Sequence, residues 1–393
     1  MNFDHWLESS DWQPLRRQIY QHDATAVQAA LHQPGAALPL WQALLSPAAG
    51  QQLTALAAQA AALSRQRVGR TMRLFAPLYL SNRCSNICSY CGFSMHNAIR
   101  RLTLDREALE QELQALHRQG FDELLLVSGE SSQEVNLDYL RHAIGRGKQL
   151  FRQVLIEVQP LTEADYRQLV AAGLDGVLVY QESYHRPTYA SVHLKGPKRD
   201  FDWRLATPAR AAAAGVERIG LGVLLGLNDW RSELYLLAGH LRQLQQQFWR
   251  SRFQLSLPRL RPCTGGAPVA APVSDRELVQ ALCALRLLAP EAGISLSTRE
   301  PAPLRDQLVL LGVTQMSAGS STQPGGYSGS GEALEQFATS DQRPLGTVAQ
   351  RLQQLGLAPV WSDGRWGDER WSDERHTKAQ QPTACAYGQV GQA

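Results

Sequence analysis

Three cysteines that lie within eight positions, Cys84, Cys88 and Cys91, are the residues of this 393-residue chain whose types and spacing best suit chemistry. They follow an apolar run, and enzymes built from parallel strands keep their active sites at the carboxyl ends of those strands. Three closely spaced thiolates can ligate three irons of a cubane cluster and leave the fourth iron open to a small molecule. The spacing therefore predicts a catalytic [4Fe–4S] centre on these cysteines.

A zinc site is the alternative interpretation of the same cysteines. His96 follows Cys91 closely enough to complete a Cys₃His tetrahedron, which would make the segment a non-catalytic zinc-binding module. Such modules are usually short and poor in strands, because the metal supplies their folding free energy. The cysteines here lie in a long α/β chain that needs no metal to fold, which favours the iron–sulfur interpretation.

A series of short apolar runs, each followed by a helical stretch, would position the cysteines. Asp105, Thr162 and the pair Ser274 and Glu277 have the spacing of helix N-caps. This alternation predicts a parallel α/β fold; eight runs suit a closed (β/α)₈ barrel, and a doubly wound open sheet would give a similar pattern. The runs lie at 74–80, 123–128, 154–158, 176–180, 218–224, 253–257, 293–297 and near 313–316.

Composition divides the chain into four segments. Residues 1–70 are rich in Ala, Gln and Leu and predict a helical extension, residues 71–320 contain the barrel, and residues 321–361 form a C-terminal cap segment. Residues 362–393 are polar. A five-residue unit that begins with Trp361 occurs three times in succession, at 361–365, 366–370 and 371–375. Because a period of five matches neither helix nor strand, this tail is predicted to be disordered.

Charge and hydropathy exclude several classes of protein. The net charge is only +3 and the charges are mixed, so neither nucleic acid nor a membrane surface is expected as a partner. No apolar run approaches the ~20 residues that span a bilayer, and the acidic residues near Met1 do not fit a secretory signal. We therefore expect a cytoplasmic enzyme with reduced cysteines and a small substrate.

The C-x₃-C-x₂-C spacing, with Tyr90 before the last cysteine, resembles the signature of radical S-adenosylmethionine (SAM) enzymes. From about Leu74 to about Trp361 the chain resembles the tyrosine lyases of thiamine biosynthesis, the 2-iminoacetate synthases. The segments that carry this resemblance lie at 81–82, 91–94, 127–130, 156–160, 180–184, 196–200, 220–226, 256–262, 297–300 and 316–320, together with Asn97 and Arg101.

The resemblance implies where SAM is bound. The ring of Tyr90 would lie beside the adenine, and the carboxylate of Glu130 would bind the amino group. Residues of the next strand end would lie near the ribose, and glycines at a further strand end would let the backbone approach the cofactor. The expected cofactor-binding residues are Tyr90, Gly129, Glu130, Glu157, Gln159, Gly220 and Gly222.

Arg299, at the end of the seventh predicted strand, is the expected anchor of the substrate. Its planar fork matches a carboxylate, as a lysine ammonium does not. Ser317 and Ser320 lie in a hydroxyl-rich loop one strand away and could help to hold an amino acid zwitterion. Arg259 and Arg261, at the exit of the preceding strand, are the alternative anchors.

The resemblance also implies a reaction, cofactors and partners. A [4Fe–4S] cluster and SAM would serve to cleave the Cα–Cβ bond of L-tyrosine to 2-iminoacetate and p-cresol, with methionine and 5′-deoxyadenosine as further products. Thiazole synthase, as acceptor of the unstable imine, and a flavodoxin- or ferredoxin-type electron donor are the expected protein partners. A lyase for another aromatic amino acid, such as tryptophan, would carry the same cysteines and is the alternative within this class.

Two departures from related patterns bear on the interpretation. Enzymes that build hydrogenase ligands from tyrosine carry a second cluster on C-terminal cysteines, whereas the tail here offers only Cys385, so that function is disfavoured. The ending expected after residues 359–361 is replaced by the five-residue repeat. The role of this end of the chain is therefore not implied by the resemblance.

Overall fold

The eight apolar runs pair as parallel strands in the computed structural model, which describes Leu7, residues 11–329 and residues 335–360. Three further strands are very short. The repeat tail at 362–393 lies outside the described residues. The strands are β1 (Thr71–Ser81), β2 (Ile87–Cys88), β3 (Glu123–Ser128), β4 (Gln153–Glu157), β5 (Gly176–Leu178), β6 (His193–Lys195), β7 (Arg218–Gly222), β8 (Arg252–Ser256), β9 (Gly293–Leu296), β10 (Gln315–Ser317) and β11 (Ala358–Val360).

The main sheet closes on itself. Its strand order is β10-β9-β8-β7-β5-β4-β3-β1, and β10 also pairs in parallel with β1, where Leu74 lies opposite Met316. The predicted (β/α)₈ barrel is therefore confirmed, and the open-sheet alternative is wrong because the end strands of an open sheet would not meet. β11 adds a parallel strand beside the start of β1, with Thr71 opposite Ala358.

Helices follow the strands, and their starts are set by side chains. Asp105 accepts a hydrogen bond from the backbone N of Ala108 at 2.9 Å, and Thr162 and Ser274 also cap their helices, so all three predicted N-caps are confirmed. Both Thr162 and Ser274 form capping boxes. No helix in the described part of the chain is long and apolar enough to cross a membrane. The helices are α1 (Trp12–Gln21), α2 (Ala24–Leu31), α3 (Leu38–Trp41), α4 (Pro47–Gln51), α5 (Leu53–Arg67), α6 (Arg106–Arg118), α7 (Leu137–Leu150), α8 (Glu163–Ala171), α9 (Arg186–Val192), α10 (Phe201–Leu205), α11 (Thr207–Ala213), α12 (Trp230–Gln247), α13 (Asp275–Leu288), α14 (Ala302–Leu308) and α15 (Leu345–Gln354).

Alternation along the strands separates two apolar cores. On β1, Leu74, Ala76 and Leu78 belong to the large core that the barrel shares with its helices. Phe75 and Tyr79, which alternate with them, belong to a smaller cluster formed with inward-facing residues of β3, β4 and β5. This inner cluster lines the cavity described below.

A layer of hydrogen-bonded polar side chains fills the barrel near the amino-terminal ends of its strands. Arg218 donates to Glu123 at 2.8 Å and to Gln153 at 2.7 Å, and it also donates to Gln254 at 3.2 Å and Gln315 at 3.0 Å. Burial alone would raise the pKa of Glu123, but the positive charge of the nearby arginines, Arg218 foremost, holds that pKa below its usual value. The interior charge at this end is therefore compensated.

Replacing Arg218 by Met should lower the free energy of unfolding by ~3–5 kcal/mol, because it leaves the buried Glu123 carboxylate without its partner. The double variant with Glu123→Gln should recover part of this loss. Since the pKa of Glu123 is lowered in the folded state, the stabilisation is present above the pKa of an unfolded Glu carboxyl. It is lost as the pH falls through the folded pKa.

Urea unfolding at several pH values measures this difference. Arg141→Met is a matched control, because it removes the exposed ion pair with Asp138 and should cost less than ~1 kcal/mol. An Arg218→Met protein as stable as this control would contradict the role of the buried layer.

Candidate active site

The carboxyl ends of the barrel strands surround one cavity. The loop that carries the three cysteines, which we call the cluster loop (residues 82–101), forms one side of it, and residues from β9 and β10 and the segments after them form the other. The cavity thus brings together most of the predicted site residues. Those that line it are Cys84, Cys88, Tyr90, Cys91, Gly129, Glu130, Glu157, Arg299, Ser317 and Ser320.

Arg101 holds the cluster loop in shape. It donates hydrogen bonds to the backbone carbonyl oxygens of Asn82 at 2.7 Å and Phe93 at 2.8 Å, and to those of Ser94 at 2.6 Å and Asn97 at 3.2 Å. Within the loop, β2 pairs antiparallel with β6. The loop has almost no regular structure of its own, so these long-range contacts position its thiols.

The three cysteine thiols suit an iron–sulfur cluster. None of them forms a disulfide, and the backbone N and Nδ2 of Asn86 lie 3.5 Å and 3.7 Å from the Sγ of Cys84, where they donate hydrogen bonds. Burial raises the pKa of all three thiols, so each proton would leave as iron binds. N–H donors to a coordinating sulfur are the usual surroundings of such clusters.

The zinc alternative finds no support in the described residues. Among them, no three His, Cys, Asp or Glu side chains lie close enough to hold a single metal ion. A cubane cluster does not require this, since each thiolate binds a different iron. His96 is exposed, and its Nδ1 lies 3.2 Å from the Oγ of Ser94.

Tyr90 is oriented by a histidine that the sequence did not point to. Its hydroxyl lies 2.7 Å from Nε2 of His193, and Nδ1 of the same ring lies 2.8 Å from the carbonyl oxygen of Tyr189. A carbonyl can only accept, so Nδ1 carries the proton and Nε2 accepts from Tyr90. Burial, helped by the charge of Lys198, lowers the pKa of His193 to about 2, which keeps the ring neutral. The predicted contact of Tyr90 with adenine stays a prediction.

Gly129 and Glu130 connect β3 to the cluster loop. A Cβ at Gly129 would lie 2.3 Å from the carbonyl oxygen of Arg83, so only glycine allows the loop to pack on this strand end. Glu130 accepts hydrogen bonds from Arg204 at 2.8 Å and from Asn86 at 2.9 Å. Its carboxylate, predicted to bind the SAM amino group, therefore already has protein partners in this structure.

Glu130 belongs to a buried network of two acids and two bases, which we call the ion network: Glu130, Glu182, Lys198 and Arg204. Lys198 donates to Glu182 at 2.8 Å and lies 3.9 Å from Glu130. Burial would raise the pKa of Glu130, but Arg204 and Lys198 hold it below its usual value. Glu182 and Lys198 occur in family-like segments without a predicted role, and Arg204 lies in none of those segments.

Glu157 lacks such a partner. It lines the cavity, and no group of the described residues donates a hydrogen bond to its carboxylate. Burial first, and then the negative charge of Glu182, raise its pKa to about 7. The charge of this carboxyl therefore changes near neutral pH, and a bound cation would favour its ionised form.

Three of the predicted cofactor-binding residues do not line the cavity. Gln159 donates to the carbonyl oxygen of Val135 at 2.7 Å. A Cβ at Gly220 would lie 2.6 Å from Leu178, and one at Gly222 would lie 2.5 Å from the carbonyl oxygen of Ser256. Packing inside the barrel explains the two glycines, and the predicted contacts of the three residues with SAM stay predictions.

Arg299 lies on the side of the cavity opposite the cluster loop. Its guanidinium carbon lies 3.4 Å from the centre of the Phe337 ring, and none of the described carboxylates forms an ion pair with it. Burial lowers its pKa. The two alternative anchors differ, because Arg259 and Arg261 both form ion pairs with Glu300.

The C-terminal segment completes the cavity, which sequence analysis did not foresee. Gln336 lies with Nε2 3.7 Å from the Sγ of Cys91, and its side-chain oxygen accepts from the hydroxyl of Tyr79 at 2.7 Å. Its carbonyl oxygen accepts from the backbone N of Gly92 at 3.1 Å. A residue far along the chain therefore contacts both a predicted cluster ligand and the cavity wall.

Two buried hydroxyls on the cavity wall indicate that the site binds a ligand. The Oγ atoms of Ser128 and Ser320 have no hydrogen-bond partner among the described residues. Buried hydroxyls without partners are uncommon in folded proteins. Together with the cysteine thiols, they fit a site that is completed by bound polar groups.

Comparison with known proteins gives concordant matches. The model of the Radical SAM superfamily matches residues 78–238, and that of the Biotin and Thiamin Synthesis associated domain matches residues 256–358. The 2-iminoacetate synthase of Escherichia coli is 49% identical over 361 residues, which are 92% of this chain and 96% of the relative. The enzyme of the same name from Salmonella typhimurium is 47% identical with the same coverage.

Solved structures share the architecture. The crystal structure of HydG, a maturase of the [FeFe]-hydrogenase, superposes with a TM-score of 0.82 at 28% identity and covers 95% of this chain and 82% of that one. Methylornithine synthase (PylB) superposes with a TM-score of 0.69 at 20% identity, over 85% of this chain and 97% of its own, and shows the same fold.

The barrel, the cysteine loop at its mouth and the matched superfamily agree that the chain is a radical SAM enzyme. Its cofactors are accordingly a [4Fe–4S] cluster and SAM. Almost half of its residues are identical to those of two 2-iminoacetate synthases over nearly the whole of both chains, and it belongs to the 2-iminoacetate synthase family.

Replacement of Cys84, Cys88 or Cys91 by Ala should abolish the brown absorption of the cluster and most of the bound iron, because three thiolates hold three irons. Iron and sulfide analysis after anaerobic reconstitution measures this. Cys263, whose thiol donates to the carbonyl oxygen of Tyr90 at 3.2 Å, and Cys283, buried in α13, are matched controls that should keep full iron content. A Cys88→Ala protein with a full cluster would refute the assignment.

The affinity of the reconstituted enzyme for SAM should rise ~3- to 10-fold between pH 6 and pH 8, because Glu157 ionises in this range and its negative charge attracts the positive charge of SAM. Glu157→Gln should remove most of this pH dependence. Equilibrium dialysis at fixed ionic strength measures it, with Glu163→Gln, at the exposed start of α8, as a control. A slope unchanged in Glu157→Gln would show that another group titrates.

Proposed function

We propose that this enzyme cleaves the Cα–Cβ bond of L-tyrosine to give 2-iminoacetate and p-cresol, with methionine and 5′-deoxyadenosine formed from SAM, and so supplies the imine for the thiazole of thiamine. The names of the two relatives support the product, and the match to the Biotin and Thiamin Synthesis associated domain supports the pathway. No observation on the described residues favours tryptophan or another aromatic amino acid.

One observation carries the substrate assignment. Arg299, a cation without a carboxylate partner among the described residues, lies in the same cavity as the cluster cysteines and stacks on Phe337. A buried guanidinium without an anion is costly, so a bound carboxylate would stabilise it. An amino acid that binds through its carboxylate could then place its side chain against the apolar part of the cavity wall, which includes Phe75 and Leu125.

The chain's own residues bind and orient the reactants. Cys84, Cys88 and Cys91 would hold the cluster, which would supply one electron for the reductive cleavage of SAM, and the radical derived from SAM would remove one hydrogen atom from the substrate. Arg299 would anchor the carboxylate, and the unpartnered hydroxyl of Ser320 would complete the hold on the zwitterion. Anchoring at two groups aims one hydrogen of the substrate at the cofactor.

Two protein partners belong to this proposal. A flavodoxin- or ferredoxin-type protein would deliver electrons to the cluster, and thiazole synthase would accept 2-iminoacetate before water hydrolyses it. We assign the reaction to the cytoplasm; none of the five described cysteines forms a disulfide, which suits a reducing compartment.

Product analysis tests the reaction and the substrate together. The reconstituted enzyme is incubated anaerobically with SAM, dithionite and tyrosine, tryptophan or phenylalanine in separate reactions. Formation of p-cresol and glyoxylate, the hydrolysis product of 2-iminoacetate, from tyrosine alone is expected. Deoxyadenosine formed without p-cresol from tyrosine would refute the proposed substrate and leave the radical SAM class intact.

Arg299→Lys should keep the cluster and still form deoxyadenosine, but should lower the ratio of p-cresol to deoxyadenosine by ~10-fold or more, because a lysine cannot hold the carboxylate in a bidentate geometry. Liquid chromatography of both products gives the ratio. Arg261→Lys is a matched control on a neighbouring guanidinium that is already paired with Glu300. An unchanged ratio and tyrosine KM in Arg299→Lys would exclude Arg299 as the anchor.

A further inference from the structure

Glu182 has a backbone conformation that side chains rarely adopt. Among the described residues, Glu182 is the only non-glycine residue with a positive φ, which is 69°. For a residue other than Gly, Asn or Asp this left-handed conformation is strained and persists only where the surroundings enforce it. It lies just beyond β5, in the family-like segment 180–184, and its side chain lines the cavity beside the cluster loop.

The strained conformation places the carboxylate of Glu182 in the ion network. Lys198 donates to it at 2.8 Å, and Arg204 lies 3.9 Å away. On the other side, the carbonyl oxygen of Glu182 accepts from the backbone N of Leu224 at 2.9 Å, which ties the segment to the chain after β7. A relaxed β conformation would turn the side chain away from these partners.

The residues after Glu182 are held from behind by α12. Glu233 on this helix accepts from the hydroxyl of Ser183 at 2.5 Å and from the backbone N of Tyr184 at 2.6 Å. The hydroxyl of Tyr184 lies 2.9 Å from Nδ1 of His240, about two turns further along α12. The two residues that follow the strained position are therefore clamped to one helix.

Burial of the Glu233 carboxylate costs free energy that a purely structural role would not require. It is only 3% exposed and forms no ion pair with any described residue, while Asp229 adds a second negative charge nearby. Burial raises its pKa to about 7. An apolar residue would fill the space at lower cost in desolvation, so the carboxylate is explained by the two hydrogen bonds that it accepts from the clamped segment.

We propose that Glu233 is a positioning residue that holds Glu182 in its left-handed conformation, and so keeps the Glu182–Lys198 pair in place on the cluster side of the cavity where SAM binds. This inference rests on the proposed function only in its use of SAM. Glu233 lies outside the cavity lining, and the hydrogen bonds of its carboxylate described above join it to Ser183 and Tyr184, neither of which is a predicted site residue.

The affinity of the reconstituted enzyme for SAM, measured by equilibrium dialysis, tests the functional part. Glu233→Leu should weaken SAM binding ~10-fold or more, since it releases the clamp, whereas Glu233→Gln should stay within ~3-fold of wild type, because an amide oxygen still accepts from Tyr184 and the amide N can donate to Ser183. Iron content and the KM for tyrosine should change little. Leu237→Ala, on the same helix, controls for loosening of α12.

A double-mutant cycle shows whether Glu233 acts through Glu182. In a Glu182→Gln background, Glu233→Leu should weaken SAM binding much less than in wild type, because the carboxylate that it positions is already gone. Equal losses in both backgrounds would overturn the proposal. A higher KM for tyrosine with an unchanged affinity for SAM would overturn it as well.

Thermal unfolding of the reconstituted enzyme, without SAM or tyrosine, tests the clamp. Glu182→Gly and Glu182→Ala both remove the carboxylate, but only glycine adopts the left-handed conformation freely, so the Gly variant should melt ~1–2 °C higher. In a Glu233→Leu background this difference in melting temperature should shrink, because the clamp is released. In a Glu233→Gln background, which also serves if the Leu variant does not fold, the difference should persist. Equal melting temperatures of Glu182→Gly and Glu182→Ala in the wild-type background would overturn the proposal, whichever amino acid the enzyme cleaves.

Discussion

Burial of charge is the constraint on which the mouth of this barrel depends. The ion network places two carboxylates and two cations beside thiols that become thiolates when iron binds. Each of these groups loses its hydration inside the protein and must find an opposite charge. Two acids balance two bases, so the network is neutral by itself. The positive charge of bound iron can then compensate the thiolates without disturbing the network.

The two ends of the barrel differ in how their buried charges are paired. At the amino-terminal end, Arg218 compensates Glu123 and contacts three glutamines, so this end is closed and complete. At the other end, Glu157 and Arg299 lie in the cavity without a hydrogen-bonded partner of opposite charge among the described residues. A protein keeps such costly groups where a ligand completes them. These two charges act on each other only at a distance, and they are therefore the places where a cation and an anion of a ligand would bind.

Sequence analysis predicted what depends on local pattern. The barrel follows from alternating apolar residues and from caps such as Asp105 and Ser274, each of which acts within a few residues of its own position. The cysteine loop was found for the same reason, because its three ligands lie within eight positions. Its membership in a family then supplied the chemistry.

What sequence analysis missed depends on contacts between distant segments. His193 orients Tyr90 across 103 positions, and Arg204 reaches Glu130 across 74, so neither shows in any local spacing. Gly220 and Gly222 show that one local pattern can have two physical causes. Glycines at a strand end are typical of a close approach to a ligand, but here the space is taken by side chains and backbone of neighbouring strands. Only the packed barrel distinguishes these two causes.

The contact between Gln336 and Cys91 has a consequence for how the enzyme is made. The two residues are 245 positions apart, so the cysteines leave the ribosome long before the segment that covers them. Contacts over such a separation form late, because the intervening chain must first be ordered. Until the C-terminal segment docks, Cys91 therefore lacks its contact with Gln336, and Gly92 lacks its backbone hydrogen bond to the same residue. The surroundings of one predicted cluster ligand are thus complete only after the segment that lies 245 positions further along the chain has folded onto the barrel.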